Sequence, residues 1–465
     1  MGKVEKEKIH LVAACGTGMG TLACILKEMG HPVTGSDQNV YPPMSNFLAE
    51  KGISLSSGFD PENLAYGPDL VIIGNAVSRE NPEARAVLDQ KIPYLSMPQA
   101  VNRFVARGKK IILVTGTHGK TTTSSIMAHL LETAGLSPSF LVGGILRDFN
   151  SSFQIGSGDY MVIEGDEYDT AFFDKGPKFM HYDPYITIMT GLEFDHADIF
   201  RDIDHIKEIF SVFVRKIEAQ SHIIACLENE NLNQVLAGRT AVVETYGSGG
   251  DWRFSDHTQR AGLTQARIQG PGKEFGIETG LVGRHNLMNT LACIAAATKL
   301  GISDAVVQKA LASFSGVKRR QEIRGIRKGI TVMDDFAHHP SAVRETIAAV
   351  KPFYGKGRVI AVFEPRTNTS MRQCFQQDYP EAFLAADKVL ICNPCVKKNI
   401  PEDQRFSPEQ LVADITKKGG DACHFETPSQ VLAYLVPKLR EHDLVLIMSN
   451  GGFENIHSRL LASLE

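Results

Sequence analysis

The stretch from Lys110 to Leu131, KIILVTGTHGKTTTSSIMAHLL, constrains the fold more than any other part of the chain. Its apolar start, Ile111 to Val114, is typical of a buried strand, and the apolar residues of Ser124 to Leu131 recur at helical spacing. The glycine- and threonine-rich loop between them, residues 116–122, therefore connects a strand to the start of a helix. Backbone N–H groups and the helix dipole of such a loop bind phosphate. The chain is expected to contain an α/β unit with a phosphate ligand.

The loop also carries the side chains that a Mg²⁺-bound triphosphate requires. In the pattern G-x-x-x-x-G-K-[ST], the lysine reaches the β- and γ-phosphates and the hydroxyl binds Mg²⁺. Val114 stands where this pattern has its first glycine, so the loop is a shortened variant; an ordinary glycine-rich turn is the alternative. The candidate nucleotide-binding residues of the loop are Gly116, Thr117, His118, Gly119, Lys120, Thr121 and Thr122.

Composition favours a cytoplasmic globular protein. At 465 residues the chain has room for about three domains. Its hydrophobic content is 43% and its net charge is -4, so it can bury a large core and lacks a basic surface for nucleic acid. The charged N-terminus, MGKVEKEKIH, has no signal-peptide core, and no apolar run reaches membrane-span length. We expect no nucleic-acid or membrane partner.

The cysteines indicate neither a disulfide framework nor a zinc site. Of the eight, only Cys392 and Cys395 have C-x-x-C spacing, and no second pair accompanies them. A redox or metal role for this pair is the alternative, and reduced structural thiols are expected.

Residues 1–107 are expected to form a first domain that binds a nucleotide. A strand from His10 to Ala14 runs into the glycine-rich turn 16–20, and Asp37 ends the second strand. In such an arrangement the glycines admit a pyrophosphate and the acid takes a ribose hydroxyl. Thr21 replaces the last glycine of G-x-G-x-x-G, so a nicotinamide cofactor and another diphosphate nucleotide both remain open. The candidate residues are Gly16, Gly18, Gly20 and Asp37. Asn75 and Ser78 join them on a later loop at the end of a strand, for which a plain turn is the alternative.

A central domain is expected to span residues 108–316 and to present carboxylates beside the phosphate loop. The strand Asp159 to Ile163 runs into Glu164-Gly165-Asp166-Glu167, and the strand Tyr185 to Thr190 precedes Asp195-His196-Ala197-Asp198. A strand that ends in carboxylates downstream of a phosphate loop is the usual source of a Mg²⁺ ligand. A solvated acidic turn and a structural histidine are the respective alternatives.

Two asparagines and a third α/β domain, residues 317–465, complete the candidate set. Asn286 and Asn289 share one face near the start of an apolar helix expected from Thr290 to Lys299, and a helix cap is the alternative for Asn286. In the third domain polar residues again follow strands, where open α/β sheets bind ligands. These polar segments are Asp334 to Pro340, Glu364 to Asn368 and Ser449 to Phe453.

Together these features predict an α/β enzyme with Rossmann-like first and third domains and a phosphate-loop central domain. A Mg²⁺-bound triphosphate between two other ligand domains favours ATP-driven joining of two substrates. A kinase or a simple ATPase would not need the first domain. A NAD-dependent oxidoreductase and a nucleotide-sensing module without chemistry are the competing classes, and the oxidoreductase leaves the phosphate loop unexplained.

Several segments are similar to the motifs of one family: Gly116 to Thr123, Glu164 to Glu167, Asp195 to Asp198, Gly283 to Asn286, Arg319-Arg320 and Asp334 to Pro340. Through them the chain resembles the Mur ligase family over its whole length. Two features are more similar to the branch that recycles murein peptides than to the branch that adds L-alanine. They are Ser36-Asp37 with Val40 to Ser45, and Ser449 to Phe453 with Glu164 to Asp169.

The resemblance implies an ATP- and Mg²⁺-dependent ligase of peptidoglycan recycling, with a role in cell wall biogenesis, cell shape and cell division. Its reaction would join L-Ala-γ-D-Glu-meso-diaminopimelate to UDP-N-acetylmuramic acid, with L-alanine as the alternative amine. The lactyl carboxylate attacks the γ-phosphate of ATP, and the amine then displaces phosphate from the acyl phosphate. A monomer or weak homodimer is expected.

The same resemblance implies the roles of individual residues. Lys120 contacts the β- and γ-phosphates, Thr121 and Glu164 hold a first Mg²⁺, and His196 holds a second, so Lys120, Glu164 and His196 are the expected catalytic residues. The other ATP contacts are Asn286 and Asn289 at the adenine, Arg320 at the phosphates and Asp335 at the ribose. The UDP portion is assigned to Gly16, Gly18, Gly20 and Asp37, with Asn75 and Ser78 nearby. The peptide is assigned to His339, Arg366, Asn368 and Asn450, an expectation that rests on their positions after strands more than on a family motif.

Two positions depart from the family pattern. Several members carry a carbamylated lysine downstream of the metal histidine, at the position of Ser211 here, so no such bridge is expected. Gly191 stands where many members have asparagine and is assigned no role.

Overall fold

The computed structural model describes residues 6–40, 44–260, 262–353, 357–394 and 400–465. Cys395, half of the C-x-x-C pair, lies outside the described residues, as do residues 41–43 of the segment after Asp37. No helix in the described ranges is both long enough and apolar enough to cross a membrane. The strands in these ranges build three large sheets, which define a first, a central and a third unit.

The first unit is a parallel sheet with its glycine turn at the end of the middle strand. Its strands are β1 (Ile9–Val12), β2 (Val33–Asp37), β3 (Ser54–Ser57), β4 (Leu70–Ile73) and β5 (Tyr94–Ser96), in the order β3-β2-β1-β4-β5. Its helices are α1 (Thr17–Glu28), α2 (Met44–Glu50), α3 (Pro82–Asp89) and α4 (Met97–Val101). All neighbouring strands are parallel. Strands β1 and β4 are fully buried and, except for His10, apolar, as expected where helices cover both faces.

The central unit holds the phosphate loop. Its strands are β6 (Lys110–Thr115), β7 (Ser139–Leu146), β8 (Ser151–Gln154), β9 (Tyr160–Gly165), β10 (Asp169–Ala171), β11 (Asp174–Pro177), β12 (Pro184–Met189), β13 (His222–Cys226), β14 (Val242–Tyr246), β15 (Arg253–Arg260), β16 (Leu263–Gly270) and β17 (Lys273–Thr279). Its helices are α5 (Lys120–Thr133), α6 (Ile203–Lys216), α7 (Glu230–Val235), α8 (Arg284–Lys299) and α9 (Asp304–Ser313).

The order of the central sheet, β14-β13-β12-β6-β9-β7-β8, decides which loops meet. Strand β6 lies between β9 and β12, and all three run in parallel. The loops that follow them therefore emerge at one edge of the sheet, where open α/β sheets bind ligands. This topology brings the phosphate loop together with the segments that begin at Glu164 and Gly191.

The third unit is a second α/β layer structure. Its strands are β18 (Glu322–Arg327), β19 (Ile330–Asp335), β20 (Val359–Phe363), β21 (Lys388–Cys392), β22 (Ala422–Phe425) and β23 (Leu444–Met448), in the order β18-β19-β23-β20-β21-β22. Its helices are α10 (Pro340–Val350), α11 (Tyr379–Phe383), α12 (Pro408–Lys417), α13 (Pro428–Leu435) and α14 (Ile456–Ser463). Alternate residues of β20 enter two apolar clusters, one on each face of the sheet. Strands β20 and β23 are parallel neighbours, so the polar residues that follow them lie side by side.

These observations confirm the α/β fold and change one local prediction. The small antiparallel strands expected in residues 245–280 are β15 to β17. Helix α8, expected from Thr290, begins at Arg284, because Gly283 takes a positive φ of 97° and serves as the N-cap. Asn286 is therefore inside the first turn, and the helix-cap alternative for it is wrong.

Candidate active site

The phosphate loop is a tight turn that requires glycine at two positions. Gly116 and Gly119 have φ values of 125° and 80°, which favour glycine. A Cβ atom at Gly119 would lie 2.5 Å from Asn289 Oδ1, so this asparagine packs directly against the loop. The Thr117 N–H donates to the Gly191 carbonyl at 2.8 Å. Gly191, which received no role from the sequence, thus anchors the loop to the end of β12.

Lys120 is held in a buried ion pair above the loop. Its Nζ donates to the Gly116 carbonyl at 2.6 Å and to Glu167 Oε2 at 2.7 Å. Burial opposes the charge of Lys120, but the nearby carboxylates, Glu167 foremost, outweigh it and raise the pKa of the ammonium group. Lys120 therefore stays charged, as a residue that contacts phosphates must.

Glu164 and Thr121 form a donor set of the kind that Mg²⁺ prefers. Thr121 Oγ1 donates to Glu164 Oε2 at 3.3 Å, and the Gly143 N–H donates to Glu164 Oε1 at 2.8 Å. Arg320 Nη2 donates to the same threonine hydroxyl at 3.4 Å. Burial, and secondarily Asp166, raise the pKa of Glu164 to about 7. A carboxylate and a hydroxyl at the start of helix α5, where a cation would relieve this burial cost, fit a Mg²⁺–phosphate ligand.

Glu167 links two of the predicted catalytic residues, Lys120 and His196, and was missed in the sequence. Besides Lys120, it contacts His196, with 3.2 Å between Oε1 and Nε2. Its side chain is 6% exposed. The signal for it was present, because Glu167 belongs to the same acidic segment as Glu164. Two residues lie between them, and because Glu164 lies in β9 while Glu167 follows it, the two side chains have different partners.

His196 occupies a strained position at this edge of the sheet. Its φ is 53°, an uncommon value for a residue other than glycine, and its N–H donates to Asp195 Oδ1 at 2.7 Å. Burial opposes protonation, yet Glu167 and Asp195 raise the pKa of His196. Backbone strain of this kind concentrates at functional sites.

The third unit closes over this edge through Glu193. Ser341 Oγ donates to Glu193 Oε2 at 2.6 Å, and the same oxygen lies 3.5 Å from Nε2 of His118 in the phosphate loop. His339 Nε2 donates to the Phe194 carbonyl at 3.1 Å. Burial, and secondarily His118, lower the pKa of His339 to about 4. His339 is thus turned toward the central unit, while its assignment to the peptide stays a prediction.

His118, Glu193 and His339 form the one candidate metal cluster in the described ranges, with ligand atoms within 4.8 Å of one another. Both ring nitrogens of His339 are already hydrogen-bonded, since Nδ1 accepts the Ser341 N–H at 3.2 Å. The cluster therefore fits a hydrogen-bond contact between units better than a metal site.

The remaining predicted ATP contacts adjoin the same edge. Asn289 Nδ2 donates to Asn286 Oδ1 at 3.3 Å, so the two share one helix face as expected. The Arg320 guanidinium lies 4.7 Å from the centre of the Phe336 ring. Both oxygens of buried Asp335 accept backbone N–H groups, from Gln321 at 2.7 Å and Ala337 at 2.8 Å. The ribose role of Asp335 stays a prediction.

The other predicted peptide residues follow β20 and β23. Asn368 Nδ2 donates to Asp198 Oδ2 at 2.7 Å and so bridges to the central unit. Arg366 Nη1 donates to Glu364 Oε1 at 3.4 Å and keeps a partly exposed side chain. Asn450 Oδ1 is buried and accepts no hydrogen bond from the described residues. Arg366 and Asn450 therefore have polar groups left for a ligand.

The glycine turn of the first unit has a simpler construction. The Gly20 N–H donates to the Gly16 carbonyl at 2.8 Å as helix α1 begins. Asp37 Oδ2 accepts the Cys15 N–H at 2.8 Å, so the acid reaches the turn from the end of β2. The loop after β4 meets the same end of β1, and it exposes Asn75 and Ser78. Gly18 packs near Met97.

Comparison with known proteins identifies the family. The model "Mur ligase family, catalytic domain" matches residues 8–109, "Mur ligase middle domain" matches 114–297, and "Mur ligase, glutamate ligase domain" matches 319–451. An Escherichia coli UDP-N-acetylmuramate–L-alanyl-γ-D-glutamyl-meso-2,6-diaminoheptandioate ligase is 42% identical over 98% of both chains. The chain belongs to the Mur ligase family.

Two further proteins refine the position of this Mur ligase. A crystal structure of a murein peptide ligase from Psychrobacter arcticus is 33% identical, with a TM-score of 0.73 over 98% of both chains. A UDP-N-acetylmuramate–L-alanine ligase from Syntrophobacter fumaroxidans is 32% identical over 99% of this chain and 96% of its own. The predicted three-domain fold is confirmed. As a Mur ligase the protein is an ATP-dependent amide ligase, and the oxidoreductase alternative is wrong.

Proposed function

We propose that this Mur ligase joins the tripeptide L-Ala-γ-D-Glu-meso-diaminopimelate to UDP-N-acetylmuramic acid in peptidoglycan recycling. One observation carries the proposal: a protein named for this activity is 42% identical over 98% of both chains. The geometry supports the reaction class, because the phosphate loop, Glu164 and His196 converge at one sheet edge beneath the third unit. The enzyme acts in the cytoplasm as a monomer or weak homodimer.

Each domain has one substrate in this proposal. Residues 1–107 bind the UDP-sugar, residues 108–316 bind ATP, and residues 317–465 bind the peptide. The backbone N–H groups of the turn 16–20 suit a diphosphate, and Asp37, Asn75 and Ser78 lie at the same strand ends. Asn286, Asn289, Arg320 and Asp335 surround the ATP, and His339, Arg366, Asn368 and Asn450 face the peptide.

The first chemical step forms an acyl phosphate. A lactyl carboxylate oxygen of the sugar attacks the γ-phosphorus of ATP as the bond to the ADP oxygen breaks. Lys120 leaves Glu167 for the β- and γ-phosphates, and the loop N–H groups hold these oxygens in line. Phosphoryl transfer depends mainly on such positioning and charge neutralisation. Thr121 and Glu164 would hold the first Mg²⁺ and His196 a second, and such ions would supply neutralisation of charge on the phosphates.

The second step makes the amide bond. The free amine of the peptide attacks the acyl carbonyl carbon, the tetrahedral intermediate loses inorganic phosphate, and the amine gives up a proton. The third unit supports this step by its location, because its contacts with Phe194 and Asp198 flank His196. A peptide held at the ends of β20 and β23 would present its amine to this region.

L-alanine is the second candidate for the amine. It is favoured by the Syntrophobacter fumaroxidans relative, which is 32% identical over nearly the whole chain and is named for L-alanine addition. The sugar nucleotide and the ATP chemistry are the same in both cases.

Phosphate release tests the proposal. Purified enzyme with ATP, Mg²⁺ and UDP-N-acetylmuramic acid is supplied with the tripeptide or with L-alanine at equal concentration. We expect release to require both the sugar nucleotide and an amine, and to be at least about tenfold faster with the tripeptide at sub-saturating amine. Faster release with L-alanine would reject the recycling assignment and retain the ligase class.

A further inference from the structure

The carboxyl ends of strands β20 and β23 form the mouth of the third unit. It contains a buried carboxylate that holds one arginine in place. Glu364, directly after β20, has a side chain that is 7% exposed. Ser449 Oγ, directly after β23, donates to Glu364 Oε2 at 2.7 Å. The other oxygen of Glu364 accepts from Arg366 Nη1 at 3.4 Å. Because Glu364 is fixed by the neighbouring strand end, it fixes Arg366 in turn.

The Arg366 side chain occupies the space beside Gly451, which forms its seat because glycine has no side chain. A Cβ atom at Gly451 would lie 2.1 Å from Arg366 Cδ and 2.3 Å from Nε, so any other residue would displace the guanidinium. The segment 449–451 is itself held by Arg319, whose Nη2 donates to the Ser449 and Gly451 carbonyls at 2.6 and 2.7 Å. The Arg366 side chain remains 41% exposed beyond this seat. The guanidinium is therefore oriented on one side and open on the other.

The loop that carries Arg366 adjoins the reaction centre. Thr369 Oγ1 accepts the Ala197 N–H at 3.1 Å, and Asn368 contacts Asp198. Both contacts reach the residues that directly follow His196. A peptide whose amine reacts near His196 would extend from there toward Arg366.

We propose that Arg366, oriented by Glu364 on Gly451, binds the α-carboxylate of the second residue of the peptide. This inference rests on the proposed function. In L-Ala-γ-D-Glu-meso-diaminopimelate the D-glutamate is linked through its γ-carboxyl group, so its α-carboxylate is free. It is the first carboxylate along the peptide from the reacting amine. A planar guanidinium matches a carboxylate with two parallel hydrogen bonds.

Glu364 acts in this account as a positioning residue, and Arg366 as a specificity-determining one. Free L-alanine has a single carboxylate, on the same carbon as the reacting amine. An arginine that is fixed one residue further along would select for a peptide over the free amino acid. The proposal thus explains how one reaction centre can discriminate between the two candidate amines.

A substrate comparison tests the proposal. The KM for the tripeptide is measured beside the KM for the same peptide with the D-glutamate α-carboxylate replaced by a carboxamide. For wild-type enzyme we expect a carboxamide-to-carboxylate KM ratio of about 10 to 100, as for a charge-assisted pair of hydrogen bonds. In Arg366→Gln the ratio falls to about 1, and in Arg366→Lys and Glu364→Gln it is intermediate. Arg372→Gln is the matched control from the same loop, and it keeps the wild-type ratio.

The outcomes separate the two levels of inference. A wild-type enzyme that turns over both peptides with a ratio near 1, or an Arg366→Gln enzyme that keeps the wild-type ratio, overturns the carboxylate site and leaves the recycling function intact. A wild-type enzyme that uses L-alanine and neither peptide overturns both. Thermal unfolding of each variant, together with its KM for ATP, distinguishes loss of the site from loss of the fold.

Discussion

The first and central units each place a glycine-rich loop after a middle strand, yet the two loops have different surroundings. Both begin a helix and both present backbone N–H groups at the carboxyl edge of a parallel sheet. Around the central loop lie the buried Lys120–Glu167 pair, Glu164 and His196. At the first turn, by contrast, the charged side chain is Asp37, which accepts the Cys15 N–H.

This difference separates binding from chemistry. Backbone N–H groups suffice to bind a diphosphate, whereas transfer of a phosphoryl group needs cations that follow the developing charge. The shared backbone arrangement therefore does not reveal which loop is reactive; the side chains from neighbouring strands do. Substitutions in the two loops should accordingly affect different substrates and by different amounts.

Loss of the Lys120 ammonium group should have the largest effect. Lys120→Ala removes the cation that is proposed to contact the transferred phosphate, and we expect kcat to fall by about 10³-fold. Binding of UDP-N-acetylmuramic acid, measured by calorimetry without ATP, should remain within about twofold because the first unit lacks this residue. A variant that retains a tenth of wild-type kcat would contradict the assignment of the central loop to chemistry.

Glu167→Gln should have an intermediate effect. The neutral side chain keeps its shape but no longer forms an ion pair with Lys120 or offers a carboxylate to His196, and we expect a loss of about 10- to 100-fold in kcat. Glu364→Gln, a buried carboxylate at the third unit's mouth, is the control and should change the peptide KM instead. Equal loss of peptide binding in both variants would mean that Glu167 has a merely structural role.

A matched pair of alanine substitutions compares the loops directly. Gly119 has a φ of 80° and its added Cβ would meet Asn289, so Gly119→Ala should raise the KM for ATP by roughly tenfold. Gly20 lies in helix α1, and its Cβ would meet the flexible Met44 side chain. Gly20→Ala should therefore raise the KM for the UDP-sugar by only a few-fold, roughly two- to fivefold. A change in the KM for ATP but not for the UDP-sugar in Gly20→Ala would contradict the assignment of the two loops to different substrates.

A last prediction concerns stability rather than activity, at the place where the third unit covers the central loop. The pKa of His339 is lowered to about 4 by burial, from an ordinary value of 6.5. As the pH falls, His339 is protonated in the unfolded chain before it is protonated in the folded protein. The contribution of neutral His339 to the free energy of unfolding is therefore fully present above pH 6.5 and is lost as the pH falls toward 4, by at most about 3 kcal/mol. Urea unfolding at pH 7 and pH 5 should show a smaller loss for His339→Gln than for wild type. An equal loss in both would mean that another group titrates in this window.

The sequence predicted the parts of the site that lie in motifs. The β6 strand, the loop and helix α5 follow from residues 110–131, and the strand-end positions of Glu164 and His196 follow from apolar runs. The structure brings these together because β9, β6 and β12 are neighbours, an order that no local pattern specifies. The start of helix α8 was misplaced because Gly283 acts as an N-cap without a side chain.

Contacts between units were beyond the reach of the sequence. Glu193 accepts a hydrogen bond from Ser341, 148 residues further along the chain, and the Phe194 carbonyl accepts one from His339, 145 residues away. Such pairs depend on how two separately folded sheets meet. Glu167 and Glu364 were missed for another reason. Their partners lie in the same unit, after neighbouring strands whose order no local pattern specifies.

The central claim is that this Mur ligase prefers a murein tripeptide, and competition tests it most directly. The enzyme is supplied with ATP, Mg²⁺, UDP-N-acetylmuramic acid and equimolar L-alanine and tripeptide, and the products are separated and weighed by mass spectrometry. We expect UDP-N-acetylmuramoyl-tripeptide to exceed UDP-N-acetylmuramoyl-L-alanine by at least about tenfold. A product mixture dominated by UDP-N-acetylmuramoyl-L-alanine would contradict it.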